Sequence, residues 1–466
     1  MQVIQASVST LLQWVGLTLG SRGPADESQR RFVSVARGAS SALVTRGLAA
    51  LTGFLIVPLA VGYLGAERYG AWVTISSTIT WLSVADFGLA NGLTHALSDA
   101  YGRGRADLAR QLVATSFWLL ASIALLCALL FGVFWLRVDW ASTLNTTALV
   151  RTEVARAVGL AVLLALASFP LSVVDRIYAS YEEGALSNLW SAAASLVSLV
   201  AVVLATRTGG GMVAVVAAYS GGRFAILLGN AVWLFAIHRV DVRPAFSAVA
   251  PKTAGQLLRS GGLFFVVQIA ALILFNTDNI IIARVLGAGS VTPYAVTWTL
   301  FTLPSMAITL AFPYLWPAYT HAIARGDVRW VRRTFRISLL VAAGCAVALA
   351  LPLAVFGKTL IALWVGKVAV PSSALLTWMG VWSVVNAGMN ALACLLNAAR
   401  QVTGQAVDGI VTAALNLVLS IAWARSYGPA GVIAATVAAY VVCAVIPSSI
   451  ETARLLARLR AAGELR

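Results

Sequence analysis

The sequence predicts an all-α, polytopic membrane protein with about twelve transmembrane helices in two six-helix lobes around a central cavity. Of its 466 residues, 60% are hydrophobic and only 11% are charged, and the mean hydropathy is +0.87. A soluble domain carries roughly a quarter charged residues. This composition excludes a water-soluble globular protein and a disordered chain. Long apolar runs and an internal repeat complete the prediction.

Apolar runs of about 20 residues recur along the whole chain, and each is long enough to cross a hydrocarbon core of roughly 30 Å. Backbone in lipid must satisfy its own hydrogen bonds, and these runs are too long for barrel strands, so we predict helices. The predicted spans are 41–64, 71–98, 112–136, 154–175, 186–206, 212–237, 261–286, 293–320, 337–357, 372–397, 406–424 and 430–453.

The basic residues are distributed unevenly between the alternate loops. Of the 33 Lys and Arg residues, 22 lie at one end of the predicted bundle, 8 lie at the other and 3 lie within spans. We call these the arginine-rich end and the arginine-poor end. Cytoplasmic loops carry an excess of cations, so we expect the multi-pass chain to have both termini in the cytoplasm. The net charge of +16 therefore does not indicate nucleic acid as a partner.

The spans predict a domain division without soluble domains. The expected units are an N-terminal cytoplasmic or interfacial extension, a first lobe, a cytoplasmic linker, a second lobe and a cytoplasmic tail. In order they cover residues 1–40, 41–237, 238–260, 261–453 and 454–466. The four cysteines lie singly within apolar runs, so the sequence predicts neither a metal site nor a disulfide framework, and we expect no cofactor.

An internal repeat relates the two halves at a shift of about 222 residues. Leu64-Gly65-Ala66 recurs as Leu286-Gly287-Ala288, and Arg103-Gly104 recurs as Arg325-Gly326. Chance matching in an apolar chain is the alternative, but the near-constant spacing over a whole half argues against it. Because six spans form each half, both halves have the same orientation in the membrane.

Polar residues form a stripe along one face of the second predicted span, and Asn91 and His95 lie on it with Ser76 and Thr80. Thr299 and other hydroxyl residues of the eighth span occupy equivalent positions. Such a stripe faces either another helix, as hydrogen-bonding glue, or water. The duplication favours a cavity between the halves.

Ionisable residues within spans are functional candidates, because inserting them costs about 2.5–3.5 kcal/mol each. Arg223 is near the middle of the sixth span and Asp86 near the middle of the second. An ion pair between them, or between Asp86 and Arg46, is the alternative to a role in substrate or proton handling. Asn276 and Asp278 belong to a polar patch in the seventh span, and Asp86 and Asp278 are the coupling candidates.

Arg46 and Arg284 lie within two turns of a span end, where snorkelling to the headgroups also explains them. His95 lies near a span end and could also be interfacial. The repeat places Ala444 opposite Arg223 and Ile56 opposite Asp278. The helical scaffold and the polar stripes are duplicated, whereas the charged residues within the spans are not. This asymmetry suits a cavity that binds one polar headgroup asymmetrically.

Several segments resemble those of polysaccharide (O-antigen type) lipid flippases, in the superfamily that includes the MATE multidrug exporters. The segments are 276–288 (NTDNIIIARVLGA), 63–72 (YLGAERYGAW), 86–93 (DFGLANGL), 317–319 (PAY) and 325–327 (RGD). The resemblance covers about residues 40–450, and its motifs are specific to the superfamily more than to a substrate.

The resemblance implies two lobes around a cavity that opens alternately to each face. The implied cargo is an undecaprenyl-pyrophosphate-linked oligosaccharide, with Arg223, Arg46 and Arg284 holding the pyrophosphate, for which arginine geometry is suited. Asn91, His95, Asn276 and Asp278 are the other candidate cavity residues. Peptidoglycan-precursor flippases have an Arg–Asp pair in the first helix, and here that span offers only Arg46. The implied partners are the bilayer, a coupling ion (H⁺ or Na⁺) and glycan-assembly proteins.

Two other functions remain open at this point. A drug/cation antiporter would use a buried carboxylate such as Asp86 or Asp278. A membrane-embedded glycan polymerase would need a large outer loop, whereas the longest predicted one, 137–153, has no recognisable catalytic constellation. Walker A, GxSxG and HExxH patterns do not occur in the sequence, so a transporter without enzymatic activity is the favoured class.

Overall fold

The computed structural model describes residues 27–135, 137–146, 151–309, 312–399 and 401–464. These ranges form helices joined by short turns, and they contain no strand. The helices are α1 (Glu27–Leu82), α2 (Leu89–Gly102), α3 (Ala106–Trp135), α4 (Trp140–Thr143), α5 (Arg151–Ser168), α6 (Val173–Ser180), α7 (Gly184–Thr208), α8 (Gly211–Trp233), α9 (Pro251–Asn276), α10 (Asp278–Leu286), α11 (Val291–Thr309), α12 (Phe312–Arg325), α13 (Val328–Trp364), α14 (Ser373–Ala398), α15 (Val402–Tyr440) and α16 (Ile446–Glu464).

Seven helices in the described ranges are long and apolar enough to cross a membrane, and nine are if two bent pairs each form one span. Two of the seven are much longer than one crossing needs. The 47-residue stretch Ser40–Asp86 bends at Gly65, and the 55-residue stretch Val407–Ala461 bends at Gly428. The predicted eighth span corresponds to α11 and α12, with residues 310–311 between them outside the described part.

The edges of the predicted units differ from the helix boundaries. Of the predicted extension, residues 1–26 lie outside the described part, and α1 begins at Glu27. The predicted linker contains two short 3₁₀ turns, Val240–Val242 and Phe246–Ala248, and then the start of α9. The division into lobes at these residues remains a prediction.

The repeat is also visible in the backbone, where a glycine interrupts the helix at equivalent positions of the two halves. Gly65 has a φ of 75° and its repeat partner Gly287 a φ of 93°. Residues with a side chain rarely adopt this positive-φ conformation, so glycine is the residue that permits the chain to turn there. In each half the helix is therefore interrupted at the Leu-Gly-Ala sequence.

The buried apolar residues divide according to the two ends of the bundle. One large cluster at the arginine-poor end joins both halves, with Trp72 and Val158 from the first half and Ile282 and Trp382 from the second. At the arginine-rich end there are two larger separate clusters. One consists of first-half residues with Val242 of the linker and Leu257 of α9, and the other of second-half residues. A small further second-half cluster contains Ala342, Ala346 and Ala387.

Direct contacts close the arginine-poor end. The Thr292 hydroxyl donates to the carbonyl oxygen of Ala66 at 2.6 Å, which joins the start of α11 to the first Leu-Gly-Ala sequence. Phe54 and Trp364 stack with ring centroids 3.8 Å apart. The halves are thus packed together at the arginine-poor end. At the arginine-rich end α9 packs with the first half, while the other second-half helices have a separate core.

A second set of contacts fastens the first half at the same end. Glu153 on α5 accepts a hydrogen bond from Arg68 Nε at 2.8 Å, and its other oxygen accepts from the backbone N–H of Met212 at the start of α8. Tyr63 accepts from the backbone N–H of Gly211 at 2.9 Å. These contacts hold α1, α5 and α8 together at the arginine-poor end.

Candidate functional site

A cavity of about 480 Å³, here called the arginine cavity, lies among helices of the first half. Its wall comes from α1, α5, α6, α7 and α8. Its polar and aromatic lining consists of Ser76, Thr80, Ser168, Asp175, Trp190, Ser191, Tyr219, Ser220, Arg223, Phe224 and Asn230. A charged cavity wall among otherwise apolar helices is the arrangement expected of a ligand site.

Arg223 is the only arginine in this lining, and its side chain is exposed to the cavity. Its guanidinium carbon lies 5.8 Å from the centroid of the Tyr219 ring, which in turn packs edge-on against Trp72. Arg223 belongs to none of the ion pairs found among the described residues. Its donors therefore face the cavity with an aromatic ring beside them.

The arginine cavity also carries hydrogen-bonding groups that are held in place by neighbours. Asp175 accepts a hydrogen bond from Ser187 at 2.9 Å. Asn230 is buried and accepts a hydrogen bond of 2.6 Å from the fully buried Tyr178. These bonds fix a carboxylate and an amide at the arginine-rich side of the cavity.

A second cavity of about 290 Å³, here called the interface cavity, lies between the halves. Ser76, Thr80 and Tyr219 line both cavities, so the two adjoin along one face of α1. From the second half, Asn276 and Thr299 line the interface cavity. Residues of both predicted polar stripes thus face a common space between the halves.

Asp278 is buried at the start of α10, where the seventh segment bends by 44°. One carboxylate oxygen accepts a hydrogen bond of 2.5 Å from the Tyr294 hydroxyl, and Thr436 of α15 lies within hydrogen-bonding reach. Asn416 donates to the Thr436 hydroxyl at 2.8 Å. The second Asp278 oxygen and the Asn416 side-chain oxygen are buried without a partner among the described residues.

Asp86 lies in the 3₁₀ turn Ser83–Asp86 that separates α1 from α2. Its carboxylate accepts a hydrogen bond of 2.9 Å from the backbone N–H of Gly88, and Arg176 is the charged neighbour in electrostatic range. The expected alternative of a pair with Arg223 or Arg46 is absent from the ion pairs of the described residues. The local geometry gives Asp86 a contact within the turn that joins the two helices.

The remaining predicted site residues are scattered. Arg284 donates from Nη1 to the carbonyl oxygens of Ser142 and Thr143, both at 3.2 Å, and lines a separate, apolar cavity of about 480 Å³. Arg46 and His95 are exposed and line neither the arginine cavity nor the interface cavity. The side chain of Asn91, on α2, lies outside the described part of the structure.

Sequence reasoning missed several residues of these sites. Asp175 and Trp190 border predicted span ends, where polar and aromatic residues are common and give no signal. Tyr294, Asn416 and Thr436 belong to the Asp278 cluster, yet they lie on helices other than α10, where no sequence pattern connects them to Asp278. Tyr219 could have been found, because it lies one helical turn before Arg223.

The chain belongs to the family described as polysaccharide biosynthesis protein, whose profile matches residues 35–321. No curated protein sequence matches the chain.

Solved structures share the fold at low sequence identity. The inward-facing conformation of a multidrug resistance MATE family transporter of the MOP superfamily is 14% identical, with a TM-score of 0.75, over 90% of this chain and 96% of that one. Lipid II flippase MurJ in its inward closed conformation is 12% identical, with a TM-score of 0.71, over 91% and 90%. An outward-facing MATE transporter of the MOP superfamily is 15% identical, with a TM-score of 0.61, over 96% and 98%. The chain therefore has the polytopic fold of these transporters.

Proposed function

We propose that this protein is a flippase that moves a polyprenyl-pyrophosphate-linked oligosaccharide across the bacterial inner membrane by alternating access. Membership of a polysaccharide biosynthesis family supports the substrate class, and the transporter fold supports the kind of process. The observation that carries the proposal is the arginine cavity. There, Arg223 presents a guanidinium without an ion-pair partner among the described residues, inside a wall of apolar helices.

The lining of the arginine cavity matches both parts of such a cargo. The planar fork of Arg223 binds phosphate oxygens, and the neighbouring Tyr219 ring keeps it at the wall. Asp175 and Asn230 offer hydrogen-bond acceptors and donors to sugar hydroxyls, and Trp190 offers an aromatic surface. A pyrophosphate at Arg223 would place the first sugar toward Asp175.

The cation distribution supports an arginine-rich end in the cytoplasm. The packed end of the bundle would then face the outside, and the end with separate cores would face the cytoplasm. In this state the cargo enters from the leaflet in which it is made. The Thr292–Ala66 contact and the Phe54–Trp364 stack would have to separate for release on the opposite side.

We further propose that the buried cluster around Asp278 binds the coupling ion. Side-chain oxygens of Asp278, Tyr294 and Thr436 come together there, with the Asn416 amide bonded to Thr436, and hard cations such as Na⁺ prefer oxygen ligands. A buried carboxylate with one unpartnered oxygen is equally suited to carrying a proton. The ion would act at a site that does not include the arginine cavity, through the bend between α9 and α10.

The test of this function is transport in proteoliposomes with a fluorescent lipid-linked oligosaccharide. Replacing Arg223 with Gln removes a charge-assisted contact worth about 1.5–3 kcal/mol, so we expect initial transport to fall roughly ten- to hundredfold. Arg223→Lys should retain part of the rate. Arg207→Gln, an exposed arginine outside the cavity, is the matched control.

Unchanged transport by Arg223→Gln would remove the arginine cavity from the mechanism. The same proteoliposomes distinguish the alternative of a drug/cation antiporter. Ion-dependent efflux of a cationic dye, with no movement of the lipid-linked glycan, would replace the flippase with that function. Elongation of the glycan on incubation would instead indicate a polymerase.

A further inference from the structure

A pocket of about 720 Å³ lies at the arginine-rich end of the second half, away from both cavities described above. One wall is the turn at Gly326 with the first turn of α13, and the other is α16. Arg329 and Arg332 line it from α13, and Arg460 lines it from α16. Three guanidinium groups from two helices thus border one space.

The only acid in this lining is already engaged. Asp327 caps α13, where its carboxylate accepts the backbone N–H of Trp330 at 3.0 Å. A neighbouring cavity adds Arg454 and Arg458, with Glu451 as its acid. The charge of the region is therefore strongly positive, and the chemistry that complements three arginines is phosphate.

The surroundings place this pocket at the level of lipid headgroups. Trp330 on α13 is 38% exposed and packs edge-on against Tyr319, with ring centroids 5.8 Å apart. Tryptophan and tyrosine are enriched where a membrane meets water. On α16, Leu455 is buried in the second-half cluster and Leu456 packs against it, while the arginines of the same helix face outward. The pocket thus opens beside an amphipathic helix at the membrane boundary.

The repeat shows that this pocket is specific to the second half. Gly104 and Gly326 both have positive φ, and Arg110 stands where the second half has Arg332. However, Asp107 stands at the position of Arg329. At the shift of 221 residues that matches Ala217-Ala218-Tyr219 to Ala438-Ala439-Tyr440, Arg460 corresponds to Arg239, whose guanidinium is paired with Glu183. The first half therefore lacks the counterpart of Arg329, and its counterpart of Arg460 is already engaged.

We infer that the pocket formed by Arg329, Arg332 and Arg460 binds the phosphate headgroup of an anionic phospholipid from the surrounding leaflet. Basic pockets between membrane helices bind such headgroups through their phosphates. A headgroup held there would join the start of α13 to α16. This site is independent of the proposed transport function, because none of its residues lines the arginine cavity or the interface cavity.

Native mass spectrometry of the detergent-solubilised full chain tests this inference with cardiolipin, phosphatidylglycerol and phosphatidylcholine as probes. We expect the wild-type protein to bind the first two and to discriminate against phosphatidylcholine. Each basic residue near a membrane surface contributes about a factor of five in affinity, so replacing all three arginines with Gln should weaken cardiolipin binding on the order of a hundredfold. The single variant Arg332→Gln should weaken cardiolipin binding about fivefold. Because it changes one side chain only, it shows the effect of charge without the folding defect that the triple variant could have.

The matched control replaces Arg105, Arg110 and Arg243 with Gln, which removes the same charge from exposed positions at the same end of the first half. It should keep at least most of the affinity for cardiolipin. The inference is overturned if the pocket variants bind cardiolipin like the wild type, or if the control variant loses binding equally. Displacement of cardiolipin by an equal concentration of inorganic phosphate would assign the pocket to a free anion and would also overturn it.

Discussion

Gly70 on α1 lies directly against the backbone of Ala288, the residue that ends the second Leu-Gly-Ala sequence. A Cβ atom on Gly70 would overlap the carbonyl oxygen of Ala288, and Thr292 is also within van der Waals range. The two halves therefore approach each other at the arginine-poor end through a residue without a side chain. This contact makes the closed end sensitive to a single methyl group.

Replacing Gly70 with Ala should open the arginine-poor end. The added methyl group cannot avoid a carbonyl oxygen on the backbone, so the population should shift away from the closed arrangement. Distances between spin labels at the two Leu-Gly-Ala turns would report the change. Gly62→Ala is the control, because a Cβ there meets nothing within 4 Å. Identical distance distributions for Gly70→Ala and the wild type would show that the contact does not determine closure.

Replacing Asp278 with Asn should abolish the dependence of transport on an ion gradient, because the amide neither carries a proton nor supplies a negative charge to Na⁺. Tyr294→Phe keeps the carboxylate and should reduce coupling less. The measurement is transport with and without an imposed H⁺ or Na⁺ gradient. Asp107→Asn, at an exposed acid on α3, should behave like the wild type. Full gradient dependence in Asp278→Asn would assign coupling elsewhere.

Replacing Glu153 with Ala should destabilise the first half more than replacing Glu153 with Gln. Both variants lose the charge that faces Arg68, but Gln still offers an oxygen to the backbone N–H of Met212. An unpaired buried donor costs about 1–3 kcal/mol, whereas a partly exposed ion pair contributes about 1 kcal/mol or less. Melting temperatures in detergent should therefore rank wild type, Glu153→Gln and Glu153→Ala. Equal melting temperatures for the two variants would contradict this role for the backbone contact.

Replacing Tyr178 with Phe should lower the stability of the first half by about 1–3 kcal/mol, because it leaves the buried Asn230 oxygen without its donor. Since Asn230 lines the arginine cavity, we also expect weaker transport at low cargo concentration. Denaturation of the purified protein and a cargo titration measure the two effects. Tyr427→Phe, at a tyrosine that is 70% exposed, should change neither.

The sequence predicted the helical segments well, but it predicted poorly which residues of different segments come into contact. Arg223 and Asp278 were identifiable because a charge within an apolar run is unusual regardless of the fold. The Gly65–Gly287 equivalence was detectable because the repeat preserves its spacing. Asp175, Tyr294 and Thr436 were not identifiable as site residues, because only the packing of distant segments brings them to the cavity or to Asp278. Tyr219 was missed although it could have been inferred from the sequence, because it lies one helical turn before the predicted residue Arg223.

The two proposed sites lie in different halves of the duplicated fold. The arginine cavity is built from first-half helices alone, while the Asp278 cluster is built from α10, α11 and α15 of the second half. Under the proposed function, cargo preference and energy input are therefore determined in different halves and can diverge separately during evolution. A new glycan would then require changes mainly in the arginine cavity, and a new driving ion would require changes in the second half. Chimeric proteins that exchange halves between relatives would inherit each property from a different parent.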